Sequence, residues 1–320
     1  MMRIIGITWK SIVATKTVFS AMLAHHLDEG MNELRDSPHY PMYASFKLDG
    51  IRGLNKEGKI VSRSDKPIPS AYAQKTFGVG EYAGLDGELV VKNIRPGNVY
   101  KDTFSACMTH DIETPLHWHV FDRWINSEAS YATRLEEVHR NFSLYGDDRW
   151  SIVHQQLVKN WDELLEYEKV ALDLGYEGLV VRRMDAPYKF GRSTGKQQWL
   201  MAMVRVAKSE FAITGIYEGL ANQNVAVIDS RGYTTRSKHM EQMVGKGLAG
   251  GFYGRDYHSG VEFKIGVAEG LDIATRGYVW THQDEFIGKI CKYKYKPYGT
   301  DVAPRQPIML WGEWRLPMDM

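Results

Sequence analysis

Tyr43-Ala44-Ser45-Phe46-Lys47-Leu48-Asp49-Gly50-Ile51-Arg52 is the stretch on which the reading of this chain turns. Tyr43 to Leu48 has the composition of a strand, Gly50 permits a tight turn, and Arg52 lies just beyond it. A lysine is thereby set at a strand end with an arginine a few residues on. Taken alone, the hexapeptide Lys47 to Arg52 also fits a surface lysine beside a turn. Further along the chain come Val61-Ser62-Arg63-Ser64, Leu85-Asp86-Gly87-Glu88-Leu89, Val120-Phe121-Asp122, and Tyr176-Glu177-Gly178-Leu179-Val180-Val181, in that order. A series of this kind is harder to dismiss than one hexapeptide.

Outward from this series, Lys59 to Ser62, Gly87 to Val91, His117 to Asp122 and Gly178 to Arg182 read as strands by alternation or β-branched content. Two helices are expected. One runs from Asp162 to Leu174, with Asn160 as N-cap, Glu163 three residues on and Gly175 as the stop. The other runs from Ala132 to Phe142. Strands and helices mix without regular βαβ alternation, which predicts an antiparallel-rich α+β domain. Beyond Val206, short strands at Ala212 to Tyr217, Val225 to Ile228, Gly260 to Ile265 and Ile290 to Tyr295 are separated by glycine-rich turns such as Gly245 to Gly251, the pattern of a small β-barrel. The expected division is residues 1–206 and residues 207–320.

The chain has 320 residues, enough for two cores, and an ordinary apolar share of 43% with a formal net charge of +1. That balance argues against disorder and against a membrane protein. Met1 through Leu27 is interrupted by Arg3, Lys10 and Lys16 and lacks the apolar run of a signal peptide or span. A cytoplasmic protein is expected, in the host cytoplasm if the source is viral. Cys107 and Cys291 have no partner at zinc-ligand spacing, so neither a disulfide framework nor a structural metal is indicated. Near-neutral charge leaves a nucleic-acid partner open, because clustering of Lys and Arg matters more than their sum.

In order and spacing the motifs resemble those of ATP-dependent DNA ligases, members of the covalent nucleotidyltransferases, and of their small bacteriophage type in particular. The resemblance extends over essentially the whole chain. It implies a nucleotidyltransferase (ATP-grasp-like ligase) domain followed by an OB-fold barrel. It also implies that Lys47, beside Phe46, attacks the α-phosphate of ATP and carries AMP as a phosphoramidate. Only the neutral amine attacks, and a free lysine titrates near 10.4, so neighbouring cations such as Arg52 and Mg²⁺ must favour the neutral form. By the same resemblance Glu88 receives the ribose hydroxyls, Arg52 and Arg63 position sugar and phosphate, and Phe121 offers adenine a flat face. Glu177 is the expected metal-site carboxylate, with Asp49 a weaker metal ligand. Each has a plainer reading: Phe121 as core, and Glu88 and Glu177 as strand-end charges. Asp49 and Asp122 fit local caps equally well.

The sequence departs from the family where the first domain ends. Two lysines, one residue apart on an apolar strand, are expected to touch the α-phosphate, and their positions fall at Ala202 and Val204. Leu200, Ala202 and Val204 would then present an apolar face to phosphate. Three explanations fit: a lysine exchanged for Ala202, divergence with Arg205, Lys196 or Lys208 reaching in, or a displaced strand. Losing one donor to a developing phosphate charge costs about 2.7 to 4 kcal/mol, or 10² to 10³ in rate. Slowed self-adenylylation is therefore expected, and Ala202→Lys should speed it.

In the second half, Lys292, Lys294 and Lys296 alternate with Tyr293 and Tyr295, so a basic stripe is expected on one strand face. An edge strand kept soluble by lysines is the plain alternative. With Lys189, Arg192 and Arg305, the stripe is the expected DNA contact, salt-sensitive and largely indifferent to sequence. The partner implied is nicked duplex DNA, bound by a monomer with no obligate protein partner. Competing readings are an RNA ligase, an mRNA-capping guanylyltransferase, and a catalytically weak nick-binding protein.

Overall fold

The strand Leu116–Arg123 alternates without a break: Leu116, Trp118, Val120 and Asp122 are buried while His117, His119, Phe121 and Arg123 are half-buried on the other face. That period-two pattern is what a sheet packed on one face imposes. The computed structural model describes residues 19–27, 31–92, 99–110, 113–228, 234–237, 239–267, 270–297 and 303–315. Arg3, Lys10 and Lys16 lie outside the described residues.

In chain order the strands of the first half are β1 (His25–His26), β2 (Met42–Phe46), β3 (Ile51–Lys56), β4 (Lys59–Val61), β5 (Leu85–Val91), β6 (Leu116–Arg123), β7 (Trp150–Ile152), β8 (Gln156–Val158), β9 (Gly178–Arg183) and β10 (Leu200–Val204). They form two sheets, ordered β1-β10-β9-β2-β8 and β4-β3-β5-β6-β7. Pairing is antiparallel except for β1 with β10 and β6 with β7. The helices are α1 (Asn32–Arg35), α2 (Ala71–Phe77), α3 (Val99–Met108), α4 (Tyr131–Tyr145) and α5 (Trp161–Asp173).

Each sheet has its own core. Phe77, Leu85, Leu89, Trp118, Val138 and Trp150 fill one, and Met42, Ala44, Leu164, Leu179, Met201 and Met203 fill the other. The expected helices are present at nearly the expected bounds. Asn160 caps α5 by accepting from the Glu163 N–H, and Gly175, at φ 84°, ends it. Ser130 caps α4 by accepting from the Thr133 N–H.

The chain changes sheet between Val204 and Ala207. Next come β11 (Ala207–Asn222), β12 (Ala226–Ile228), β13 (Thr234–Arg236), β14 (Met243–Asp256), β15 (Glu262–Gly266), α6 (Ile273–Thr281), β16 (Ile290–Lys296) and β17 (Arg305–Trp314). Five of these strands form an antiparallel sheet ordered β15-β14-β11-β16-β17, while β12 and β13 pair as a hairpin. Mixed α+β architecture with antiparallel sheets is therefore as expected.

Two expectations for this half are corrected. The barrel is not closed: among the described residues no ladder joins β15 to β17. β17 carries Pro307, which has no N–H to donate, and turns left-handed at Gln306 and Gly312. Gly245 to Gly251 is not a turn but the middle of β14. Its register against β11 slips at Tyr217, Glu218 and Leu220, and the glycines let two long strands bend past one another. The core here comprises Phe211, Ile213, Phe252, Cys291, Tyr293 and Met309, with Val279 of α6 against it. Among the described residues no helix is long and apolar enough to cross a membrane.

Candidate nucleotide-binding cleft

The end of β2, the start of β3, the faces of β5 and β6, and the adjoining ends of β9 and β10 border one cleft of about 1020 Å³. The tips of β16 and β17 enter it from the second half. Eight lysines and arginines line it against three carboxylates, Asp49, Glu88 and Glu177. The clustering that near-neutral net charge left open is present at this place.

Lys47 is set by its backbone, whose N–H donates to the Gly178 carbonyl at 2.9 Å. Its Nζ donates to Glu177 Oε2 at 2.7 Å. Gly178 lies at φ 140°, and a Cβ there would collide with the Met203 carbonyl, so glycine is what lets Glu177 start β9 hard against β10. Gly50 is required for a similar reason, since a Cβ would meet the Leu89 carbonyl of β5. That close passage brings Arg52 opposite Glu88 in the β3–β5 ladder.

Glu177 is the most heavily contested group in the cleft. Lys296 Nζ stands 3.3 Å and Arg305 Nη1 2.9 Å from its Oε1. Burial alone would raise its pKa, but Lys47, Lys296 and Arg305 outweigh burial and hold it below the usual carboxylate range. Arg305 also donates to Asp49 Oδ1 at 2.6 Å. Two carboxylates thus converge on one guanidinium. Mg²⁺ takes one or two carboxylates together with phosphate oxygens and water, and Asp49 and Glu177 fit that donor set. Among the described residues no group of three or more His, Cys, Asp and Glu side chains could hold a metal by itself.

Glu88 behaves differently. Burial pushes its pKa up to about 7, against the opposing pull of Lys47 and Arg52. Arg52 itself is held by a fork on Asp86, at 2.8 Å and 2.5 Å, and by the Met22 carbonyl at 2.6 Å. Its guanidinium lies 5.2 Å from the centre of the Phe121 ring, which forms part of the cleft wall. Phe46 lines the cleft while packing on Tyr167 and Tyr176. Arg63 is exposed at the rim.

Below the floor lies a network that the sequence reading did not assign. Asp122 is fully buried, accepting two bonds from Arg134, at 2.8 Å and 3.2 Å, and another from Arg182. It is no local cap. Tyr188 donates to Asp86 at 2.8 Å, completing a second buried cluster with Arg52. The available signal was an aspartate next to the end of each of two strands rich in apolar residues, at a position facing the core, where a charge persists only if paired.

Ala202 lies in the cleft wall with Leu200 and Val180, whereas Val204, at the end of the same strand, does not line the cleft. Arg205 does not reach in, because Glu168 holds it in a fork at 2.8 Å and 2.6 Å. Lys196 and Lys208 are not part of the lining either. The expected basic stripe divides. Lys296 turns into the cleft, while Lys292 is exposed and neither it nor Lys294 lines the cleft. Tyr293, on the opposite face of the strand, is buried in the core. Arg192 and Arg305 also border the cleft, whereas Lys189 lies outside it and donates to Gln197 at 2.8 Å.

Residues 21–201 match the family model described as "ATP dependent DNA ligase domain". A DNA ligase-adenylate of Chlorella virus is 25% identical over 93% of this chain and 100% of its own, with a TM-score of 0.50. A Lig E DNA ligase shares the fold, with a TM-score of 0.64 at 19% identity over 92% of this chain and 98% of its own. "DNA ligase 1" of Korarchaeum cryptofilum is 27% identical over 161 residues, 45% of this chain but only 29% of that relative's length.

Proposed function

Since the chain belongs to the ATP-dependent DNA ligase domain family, we propose that it seals 5′-phosphate/3′-hydroxyl nicks in duplex DNA through AMP carried on Lys47. The observation that carries this reading is Lys47 itself, an amine at a strand end facing a nucleotide-sized cleft, with Glu177 at 2.7 Å and Glu88 and Phe121 on neighbouring walls.

In the first step the Lys47 nitrogen forms a bond to the α-phosphorus of ATP, the bond to the bridging oxygen breaks, and pyrophosphate leaves with the electron pair. The amine must shed a proton, and Glu177 Oε2 is the acceptor within reach. Glu88 accepts the ribose hydroxyls, Phe121 stacks on adenine, and Arg52 and Arg63 steady sugar and phosphate. Mg²⁺, held by Glu177 with Asp49, supplies charge neutralisation when bound. AMP then passes to the 5′-phosphate of the nick, and the 3′-hydroxyl displaces it.

Arg305 and Lys296 belong to the nucleotide side of this cycle. Lys189, Lys292 and Lys294 are the outward DNA contacts, and Arg192 sits where both could be served. We place the boundary between the two working parts at residues 206 and 207, and read the active species as a monomer.

The test is incubation with α-labelled ATP and magnesium, denaturing electrophoresis, and a chase with a 5′-phosphorylated nicked duplex. Label that stays on the protein, vanishes in Lys47→Ala and moves to DNA as the nick closes supports the proposal. A chain that binds the nick yet neither labels nor seals a pre-adenylylated duplex sinks it in favour of a nick-binding protein. Label from GTP but not ATP would favour capping chemistry, and sealing of single-stranded RNA ends would favour RNA ligation.

A further inference from the structure

Building on the adenylylation reading, we propose that His26 of β1 and Lys296 of β16 form a polyphosphate subsite, supplying the positive charge that β10 lacks at Ala202 and Val204. The strand register makes the first half of the case. β1 runs parallel to β10 with His26 paired to Ala202, and the Leu27 N–H donates to the Ala202 carbonyl at 3.3 Å. His26 is thus the lateral neighbour of the position where the wall turns apolar.

The two adjacent histidines point to different surroundings. His25 lies 3.5 Å from Glu33, whereas His26 lines the cleft and makes no carboxylate pair among the described residues. Its ring is exposed to solvent at the cleft edge, yet partial desolvation and then Arg192, Lys47 and Lys296 lower its proton affinity. Lys296 meanwhile reaches Glu177 from the second half of the chain, at 3.3 Å and 3.4 Å. A histidine beside Lys47, Lys296 and Arg192 on an apolar wall is a place where an anion is stabilised and a cation is not. An ATP whose α-phosphate meets Lys47 extends its remaining phosphates into this region, where a phosphate raises the proton affinity of His26 and gains a charge-assisted donor.

The test uses the whole chain and two readouts: affinity for ATP and for adenosine by isothermal titration, and the rate of labelled-AMP attachment. The proteins compared are the unmodified chain, His26→Ala, Lys296→Ala, Ala202→Lys, and His26→Ala combined with Ala202→Lys. Each alanine variant is expected to lose about tenfold or more in ATP affinity with adenosine affinity preserved, and about 10²-fold in labelling rate. Ala202→Lys should restore the His26→Ala protein and speed the unmodified one by a smaller factor, since His26 and Lys296 already supply part of the charge. Unchanged ATP affinity and labelling in His26→Ala overturns the subsite and leaves adenylylation standing. Equal loss for ATP and adenosine without rescue also overturns it, marking His26 as structural. ATP binding that depends on His26 in a protein that never labels keeps the subsite and removes the adenylylation reading. Binding of neither nucleotide overturns both.

Discussion

Glu177 Oε2 accepts a hydrogen bond from Lys47 Nζ at 2.7 Å, joining the end of β2 to the start of β9. The same carboxylate faces Lys296 and Arg305 from the second half of the chain. One anion therefore serves three cations, and when it is neutralised Lys47 and Lys296 lose that counter-charge while Arg305 keeps Asp49. Glu177→Gln is expected to slow labelled-AMP attachment by about 10²-fold or more. Lys47→Arg should abolish it, since a guanidinium stays protonated and cannot attack. Labelling of Lys47→Arg at the unmodified rate would place the nucleophile elsewhere.

Glu88 predicts a pH dependence. Its pKa rises from an ordinary 4.5 to about 7 in the folded chain. Between those values the folded state holds the proton that the unfolded state has lost, so Glu88 contributes most below pH 4.5 and that contribution fades as pH rises through 7. Glu88→Gln is expected to stabilise the protein at pH 8 by roughly 1 to 3 kcal/mol, with no gain near pH 4.5. Urea unfolding at the two pH values checks it.

A linked effect concerns the nucleotide. If Glu88 receives the ribose as proposed, the hydroxyls donate to its ionised form, so binding near pH 6.5 should release a proton. Titrations in buffers of different ionisation enthalpy are expected to show that release, and Glu88→Gln should remove it.

Asp122 answers two buried guanidiniums, Arg134 and Arg182. Asp122→Ala leaves both uncompensated and should cost about 3 to 5 kcal/mol in chemical denaturation. A loss under 1 kcal/mol would mean that water or another group takes the place of the carboxylate.

Gly178→Ala forces a Cβ toward the Met203 carbonyl at a φ of 140°. The β9–β10 pair must part there, carrying Glu177 away from Lys47. Labelling should fall at least about tenfold while the far-UV circular dichroism spectrum keeps its shape. A variant that labels normally would show that this approach does not set the Glu177 position.

Much of this was legible in the sequence because it is local. β6 reveals itself by strict alternation, and α5 by Asn160 at one end and Gly175 at the other. Lys47, Glu88, Phe121 and Glu177 stand on or beside such elements, so their order could be read before their meeting in space. The remainder depends on distant partners. Arg134 lies 12 residues from Asp122 and Arg182 lies 60 away, and no local pattern pairs them. The same holds for His26 beside Ala202. Gly245 to Gly251 misled because glycine permits turns and also permits strands to pass closely, and only the β11 partner decides between them. Lys296 left its stripe because β16 ends at the cleft mouth.

The buried Asp122 has a mechanical consequence. It sits on β6, while Arg182 sits on β9 of the other sheet and Arg134 on α4, so a single carboxylate rivets both sheets and a helix beneath Phe121. The two walls of the first half cannot slide against each other without tearing that joint. The strand tips that carry Lys296 and Arg305 lie outside that joint, tied to the first half by their own ion pairs with Glu177 and Asp49.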